Sequence, residues 1–156
     1  MTLENFMQDF LSRPMSALRT IEHRNSGNRT STILAREDNF QCELITWGPN
    51  LVLPAHRHPN LRGIALRIDG DMTFIIGPTE NRTNELIKRA SVWKGKFLKG
   101  RNIQIEPGDW HGGKTGGGGA SFFAFQEWMP GSILKAASQD WVGGKIPEAT
   151  LSKICG

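Results

Sequence analysis

Short apolar runs separated by turn residues constrain the fold of this chain more than any other feature. Between Thr30 and Trp128 such runs recur at regular spacing, which predicts an all-β sandwich or barrel. In the run 62–68, Ile64, Leu66 and Ile68 share one face, as expected for a strand that covers a core. The predicted strands are residues 32–36, 40–47, 62–68, 72–76, 85–89, 101–105 and 122–128.

The first residues carry a helical pattern instead. Thr2 can cap the amino end of this pattern and Pro14 stops it, so residues 3–13 are predicted to form an amphipathic helix. Its apolar face needs a partner, which we expect to be the outside of the chain's own sheet, with a homodimer contact as the alternative. A short helical turn is expected within residues 14–23. The apolar residues at helical spacing are Leu3, Phe6, Met7, Phe10 and Leu11.

The length of the chain predicts its domain organisation. With 156 residues it is long enough for one domain with a core and too short for two full ones. We expect an amino-terminal helical segment in residues 1–29, a barrel in residues 30–130, and an extension in residues 131–156 that packs on the barrel. Trp141 is the expected anchor of this extension.

Charge and cysteine content indicate which partners to expect. The 19 basic and 15 acidic residues form no dense basic run, which argues against nucleic-acid and membrane partners and leaves a small-molecule substrate. The most basic stretch, residues 88–101, is interrupted by apolar residues and is read as a solvated hairpin, with a basic binding face as the alternative. Cys42 and Cys155 lie far apart, and no leader or membrane-length apolar run is present, so we expect a cytoplasmic protein with reduced thiols.

Three of the four histidines form a candidate metal site. His56 and His58 are one residue apart, and on a strand they would point to the same side. His111, which follows a Pro-Gly turn, is the candidate third ligand. Neutral imidazole binds iron, zinc, copper or nickel. The alternative is an ordinary surface His-x-His pair.

Two segments around these histidines resemble the paired motifs of the cupin superfamily. Residues 48–58, followed by Gly63 and Gly70, resemble the first motif: a glycine, several residues, His-x-His, and a strand that ends at a glycine. Residues 100–111 resemble the second motif, with a Pro-Gly pair shortly before its histidine. The resemblance implies a double-stranded β-helix, or jelly-roll barrel, whose cavity the histidines face.

The sequence departs from the cupin motifs at two places. Many cupins carry a glutamate four or five residues after the second histidine, where this chain has Arg62 and Gly63, and an asparagine in the second motif, where it has Thr115. The remaining three-histidine set resembles that of thiol dioxygenases and diketone-cleaving dioxygenases. This resemblance implies a divalent metal, with Fe(II) expected first and Zn, Ni or Mn as alternatives.

Two further side chains are candidate catalytic residues. Arg62 stands at or beside the place of the missing glutamate, where its guanidinium would hold a substrate carboxylate. The alternative is that Arg62 is an outward edge charge. Alternation turns either Gln126 or Glu127 inward, and Gln126 is the candidate polar cavity residue. Trp110, beside His111, is the candidate aromatic wall.

Residues 108–115 also match the phosphate-binding loop pattern, a glycine, four residues and Gly-Lys-Thr. That loop needs a following helix, and Gly116 to Gly119 cannot sustain one. The glycine run 112–119 is therefore read as a flexible turn between two strands, with Lys114 and Thr115 near the mouth of the metal site.

Three function classes remain open. The first is a mononuclear Fe(II) dioxygenase acting on a small organic acid or diketone-like substrate. The second is a metal-dependent isomerase or lyase on an enolisable carbonyl. The third is a non-catalytic metal- or ligand-binding sensor.

Overall fold

The computed structural model describes residues 1–92 and 102–147. Its helices are α1 (Leu3–Ser12) and α2 (Glu80–Arg89), with 3-10 turns at Met15–Ala17 and Ala137–Gln139. Its strands are β1 (Glu22–Asn25), β2 (Arg29–Glu37), β3 (Phe40–Trp47), β4 (Val52–Arg57), β5 (Leu61–Gly77), β6 (Asn102–Ile105), β7 (Trp110–Trp128) and β8 (Val142–Gly143). A mostly β fold with a short amino-terminal helix is thereby confirmed.

Two long strands carry the curvature of the sheet. β5 and β7 pair antiparallel along most of their lengths, with register shifts where the ladder bends near Gly70. The amino half of β7 also pairs with β4, and its carboxyl half pairs with β3. The sheet order β1-β2-β3-β7-β4-β8 therefore curls into a half-barrel around an interior cavity. The predicted strands 62–68 and 72–76 are the two halves of β5.

The glycine run 112–119 belongs to β7, so its prediction as a flexible turn is wrong. Gly113 pairs with Phe74 of β5, and a Cβ atom on Gly113 would lie 2.1 Å from the Thr73 carbonyl oxygen. Neighbouring backbone approaches too closely here for any side chain. Because β7 continues as a strand, the helix that a phosphate-binding loop requires is absent from this segment.

Lys114 and Thr115, predicted to lie near the mouth of the metal site, are not among the residues that line the cavity, and both bond to backbone carbonyls. The Lys114 ammonium group donates to the carbonyl oxygens of Lys88 (2.9 Å) and Ala90 (3.3 Å) at the carboxyl end of α2. Carbonyls at a helix end lack partners within the helix, and a lysine satisfies them well. The buried Thr115 hydroxyl donates to the Gly48 carbonyl oxygen at 2.7 Å.

Helix α1 confirms the prediction for the amino terminus. The Thr2 hydroxyl accepts from the Asn5 amide at 3.1 Å, which caps the helix. Phe6 stacks on Phe40 of β3 with 5.6 Å between ring centroids. The apolar face thus packs on the chain's own sheet, and Cys42 lies in the same core, where burial raises its thiol pKa far above the usual range. The buried residues of the helix are Leu3, Phe6, Met7 and Phe10.

Helix α2 corrects the prediction of a strand at residues 85–89. Thr79 caps the helix by accepting from the Arg82 amide, and Thr83 and Ile87, four residues apart, form its buried face. The Asn84 side chain accepts from the Ala55 amide at 2.9 Å. This helix therefore supports β4 next to His56, and helices are not confined to the chain ends.

The ends of the fold differ in detail from the predicted boundaries. β1 already lies within residues 1–29, so the sheet begins before the predicted barrel. Residues 131–147 lead into β8, which pairs with β4. Residues 93–101 and 148–156, which include most of the basic stretch and Cys155, lie outside the described residues. None of the helices in the described part is long and apolar enough to cross a membrane.

Candidate metal centre

Antiparallel pairing brings the three predicted histidines together. His56 of β4 lies directly opposite His111 of β7, and His58 follows the end of β4. Ring centroids are 4.2 Å apart for His56 and His111, and each lies 5.1 Å from the ring of His58. One ring nitrogen from each histidine lies within 4.8 Å of the others. The group could therefore hold one metal ion. The fourth histidine, His23, is exposed on β1.

Backbone carbonyls fix the tautomer of each ring. Nδ1 of His56 donates to the Pro54 oxygen at 2.8 Å, and Nδ1 of His111 donates to the Asp109 oxygen at 2.8 Å. Nδ1 of His58 donates to the Asp140 oxygen at 2.9 Å. A carbonyl only accepts, so the proton sits on Nδ1 and the Nε2 lone pair remains available to a metal.

Burial keeps the imidazoles neutral. It lowers the pKa of His56 well below the usual value, with a further contribution from the neighbouring histidines, and it lowers the pKa of His58. The pKa of His111 falls to about 3, chiefly through burial and secondly through His58. Metal binding requires neutral imidazole, so the site is in its binding form throughout the neutral pH range.

The histidines face a cavity of about 70 Å³. Its walls are mainly apolar, and Phe74 stacks on His111 with 5.6 Å between ring centroids. Within residues 1–92 and 102–147, no carboxylate joins the histidine group as a ligand. Apart from the histidines, the polar residues that line the cavity are Arg29, Gln126 and Ser138.

Solved structures match this architecture, although no family model and no curated protein matches the sequence. An RmlC-like cupin from Shewanella frigidimarina matches with a TM-score of 0.52 at 11% identity, over 76% of this chain and 91% of that chain. Oxalate oxidase matches with a TM-score of 0.51 at 16% identity, over 92% of this chain and 78% of that chain. A chain from the crystal structures of DMSP lyases matches with a TM-score of 0.50 at 13% identity, over 75% of this chain and 53% of that chain. The chain has the cupin fold.

In this cupin fold, a buried polar network lies beside the histidines. Its centre is Glu43 of β3, which is fully buried. The Glu43 carboxylate accepts from Arg29 Nη2 at 3.2 Å, from Gln126 Nε2 at 2.8 Å, from the Ala137 amide at 3.0 Å and from the Ser31 hydroxyl. The network ties β2, β3 and β7 to the segment after β7 on one side of the cavity.

Gln126 faces the cupin cavity, as its prediction requires, but its polar atoms already have protein partners. Its amide nitrogen donates to Glu43, and its oxygen accepts from Gln41 at 2.9 Å and from the Trp128 indole at 3.1 Å. The structure therefore places Gln126 as a support for Glu43. A contact between Gln126 and substrate stays a prediction.

Arg62 does not line the cupin cavity. Its guanidinium lies among three carboxylates, at 3.6 Å from Glu4, 4.0 Å from Glu106 and 3.3 Å from Glu127. This is the outward edge position that the sequence left open as the alternative. Its contacts give no support to a role in holding substrate.

The cavity arginine is Arg29, which the sequence reasoning missed. Alternation along β2 could have found it, because Arg29 is in phase with Ser31, Ile33 and Ala35, and all four are buried. A charged residue at the inward phase of a strand is uncommon and marks a functional candidate.

The segment after β7 forms one wall of the cupin cavity. Trp141 stacks on His56 with 3.5 Å between ring centroids and 6° between the rings. The Asp140 carboxylate accepts from the Asn60 amide and side chain, which fixes the carbonyl that binds His58. Trp141 is thus part of the site. Trp110, the predicted wall residue, is not among the residues that line the cavity and instead packs on Arg57, whose Cζ lies 5.1 Å from its ring.

Proposed function

We propose that this protein is a mononuclear metal enzyme, with the ion on His56, His58 and His111. With Fe(II), it acts as a dioxygenase on a small organic acid or diketone-like substrate. The observation that carries the proposal is the set of three neutral, buried imidazoles with free Nε2 atoms facing one cavity. When bound, an Fe(II) ion would supply a redox centre with open coordination positions.

The chain's own groups support such a reaction in three ways. Backbone carbonyls and the Trp141 and Phe74 rings hold the imidazoles in one orientation, so little reorganisation is needed on binding. The mainly apolar walls give the reacting atoms a lining of low dielectric constant, which strengthens electrostatic interactions there. The neutral ligand set leaves the charge of the ion uncompensated, which favours an anionic chelating substrate.

A metal-dependent isomerase or lyase is the second candidate. The fold does not choose between an oxidation and a lyase reaction, since oxalate oxidase and a chain from the structures of DMSP lyases share it. The same ion would then act as a Lewis acid on an enolisable carbonyl, without oxygen. A non-catalytic sensor would bind metal or ligand at this site and turn nothing over.

Oxygen uptake separates these classes. We expect protein loaded anaerobically with Fe(II) to consume oxygen when mixed with its substrate, screened among small organic acids and 1,3-diketones. His111→Ala should lower the rate by more than about 100-fold, because it removes a ligand. His23→Ala, the matched control, should leave the rate unchanged. Substrate turnover without oxygen uptake would contradict the dioxygenase and favour the isomerase or lyase.

A further inference from the structure

Arg29 is a buried cation in the wall of the metal cavity. It begins β2, its side chain is 4% exposed, and it lines the same cavity as the three histidines. Its Cζ lies 5.3 Å from the centre of the Trp47 ring, which holds the guanidinium from one side. An arginine in this position is costly to bury unless its donors are used.

The donors of Arg29 are only partly used by the protein. Nη2 donates to Glu43 at 3.2 Å and Nη1 donates to Ser138 at 3.3 Å. Nε is buried and has no hydrogen-bond partner among the described residues. Nη1 and Nη2 each carry two N–H groups, so the guanidinium keeps donors beyond these two contacts for an acceptor that arrives with a ligand.

The charge of the site indicates the sign of that ligand. Glu43 offsets the charge of Arg29, and it is already bonded by three further donors, from Ser31, Gln126 and Ala137. The histidines are neutral, so a divalent ion would add positive charge to the cavity. An anionic ligand is therefore favoured.

The size of the cavity favours a small ligand. Its volume of about 70 Å³ has room for only a few water molecules. Ile45 and Phe122 are among its mainly apolar lining residues. A short organic acid fits this space better than a sugar or nucleotide does.

We propose that Arg29 is the anion-binding residue of the site and selects small monocarboxylic acids through its guanidinium group, which donates to the carboxylate. The proposal deepens the proposed function and rests on it, since the acid would be the substrate of the metal site. Arg62, the candidate arginine from the sequence, has no part in this recognition.

The test compares pyruvate with its uncharged isostere pyruvamide by isothermal titration calorimetry on the protein as purified. We expect pyruvate to bind more tightly than pyruvamide. The double variant Arg29→Met/Glu43→Gln should bind pyruvate about 10- to 100-fold more weakly than the parent, and its affinity for pyruvamide should be unchanged. The double variant removes both charges together, so no unpaired buried ion is created. Arg62→Met, the matched control, should bind pyruvate like the parent.

The outcomes separate this proposal from the proposed function when metal content is measured on the same samples. Equal affinity of the parent and the double variant for pyruvate overturns the proposal, and so does the absence of pyruvate binding. If metal is bound in that case, the metal site stands. Arg29-dependent pyruvate binding in a parent that binds no metal would support the carboxylate site and contradict the proposed function.

Discussion

The Glu43→Ala variant is expected to lose about 3–5 kcal/mol of unfolding free energy relative to the parent. The substitution leaves Arg29 charged and buried without its counterion, since both side chains are at most 4% exposed. It also removes the acceptor for Ser31, Gln126 and the Ala137 amide. Equilibrium unfolding in urea, followed by circular dichroism, measures the loss.

Glu127→Ala is the matched control for Glu43→Ala. Glu127 also pairs with an arginine across two strands, but its side chain is 35% exposed, and partly exposed ion pairs contribute little. We expect this variant to lose less than about 1 kcal/mol. A Glu43→Ala loss as small as that of the control would contradict the account of the buried network.

Acid should destabilise the metal-free protein well before most carboxylates titrate. The pKa of His111 is about 3 in the folded state and 6.5 in its unperturbed state. Below pH 6.5 the unfolded chain binds a proton that the folded chain does not, so stability falls as pH falls. From His111 alone, the free energy of unfolding should drop by about 2 kcal/mol between about pH 7 and about pH 5.

Urea unfolding of chelator-treated protein at the two pH values measures this drop. His56 and His58 add to it in the same direction, because burial lowers the pKa of each. His111→Gln should remove the part of this stability loss that comes from His111, whereas His23→Gln should lose as much stability between the two pH values as the parent does. A parent whose stability does not change over this range would contradict the burial of the three rings.

The features predicted correctly from the sequence depend on local patterns. The α1 helix follows from apolar spacing with Thr2 and Pro14 at its ends, and β3 follows from a run rich in apolar residues between two turn segments. The histidine set was found because the cupin motifs preserve its spacing and each motif lies at a strand. The fold followed from the same motifs and from the regular turns.

The features that were missed depend on contacts between distant parts of the chain. The glycine run 112–119 suggests local freedom, but at Gly113 the facing backbone of β5 leaves no room for a Cβ atom. Arg29 and Glu43 meet only when β2 pairs with β3, which the sequence does not reveal locally. Arg62 was chosen instead because it lies four residues after His58, where many cupins have a glutamate. The contact of Trp141 with His56 joins residues 85 positions apart in the sequence, which no local pattern encodes.

Metal content of protein purified without added metal tests the central claim most directly. Elemental analysis of the parent, His56→Ala, His111→Ala and His23→Ala should find stoichiometric divalent metal in the parent and in His23→Ala. Metal should be lost in His56→Ala and His111→Ala, since each removes one of the three converging nitrogens. Iron would support the dioxygenase, and zinc or nickel would favour the isomerase, lyase or sensor. Retention of the parent's metal in both His56→Ala and His111→Ala would contradict the site.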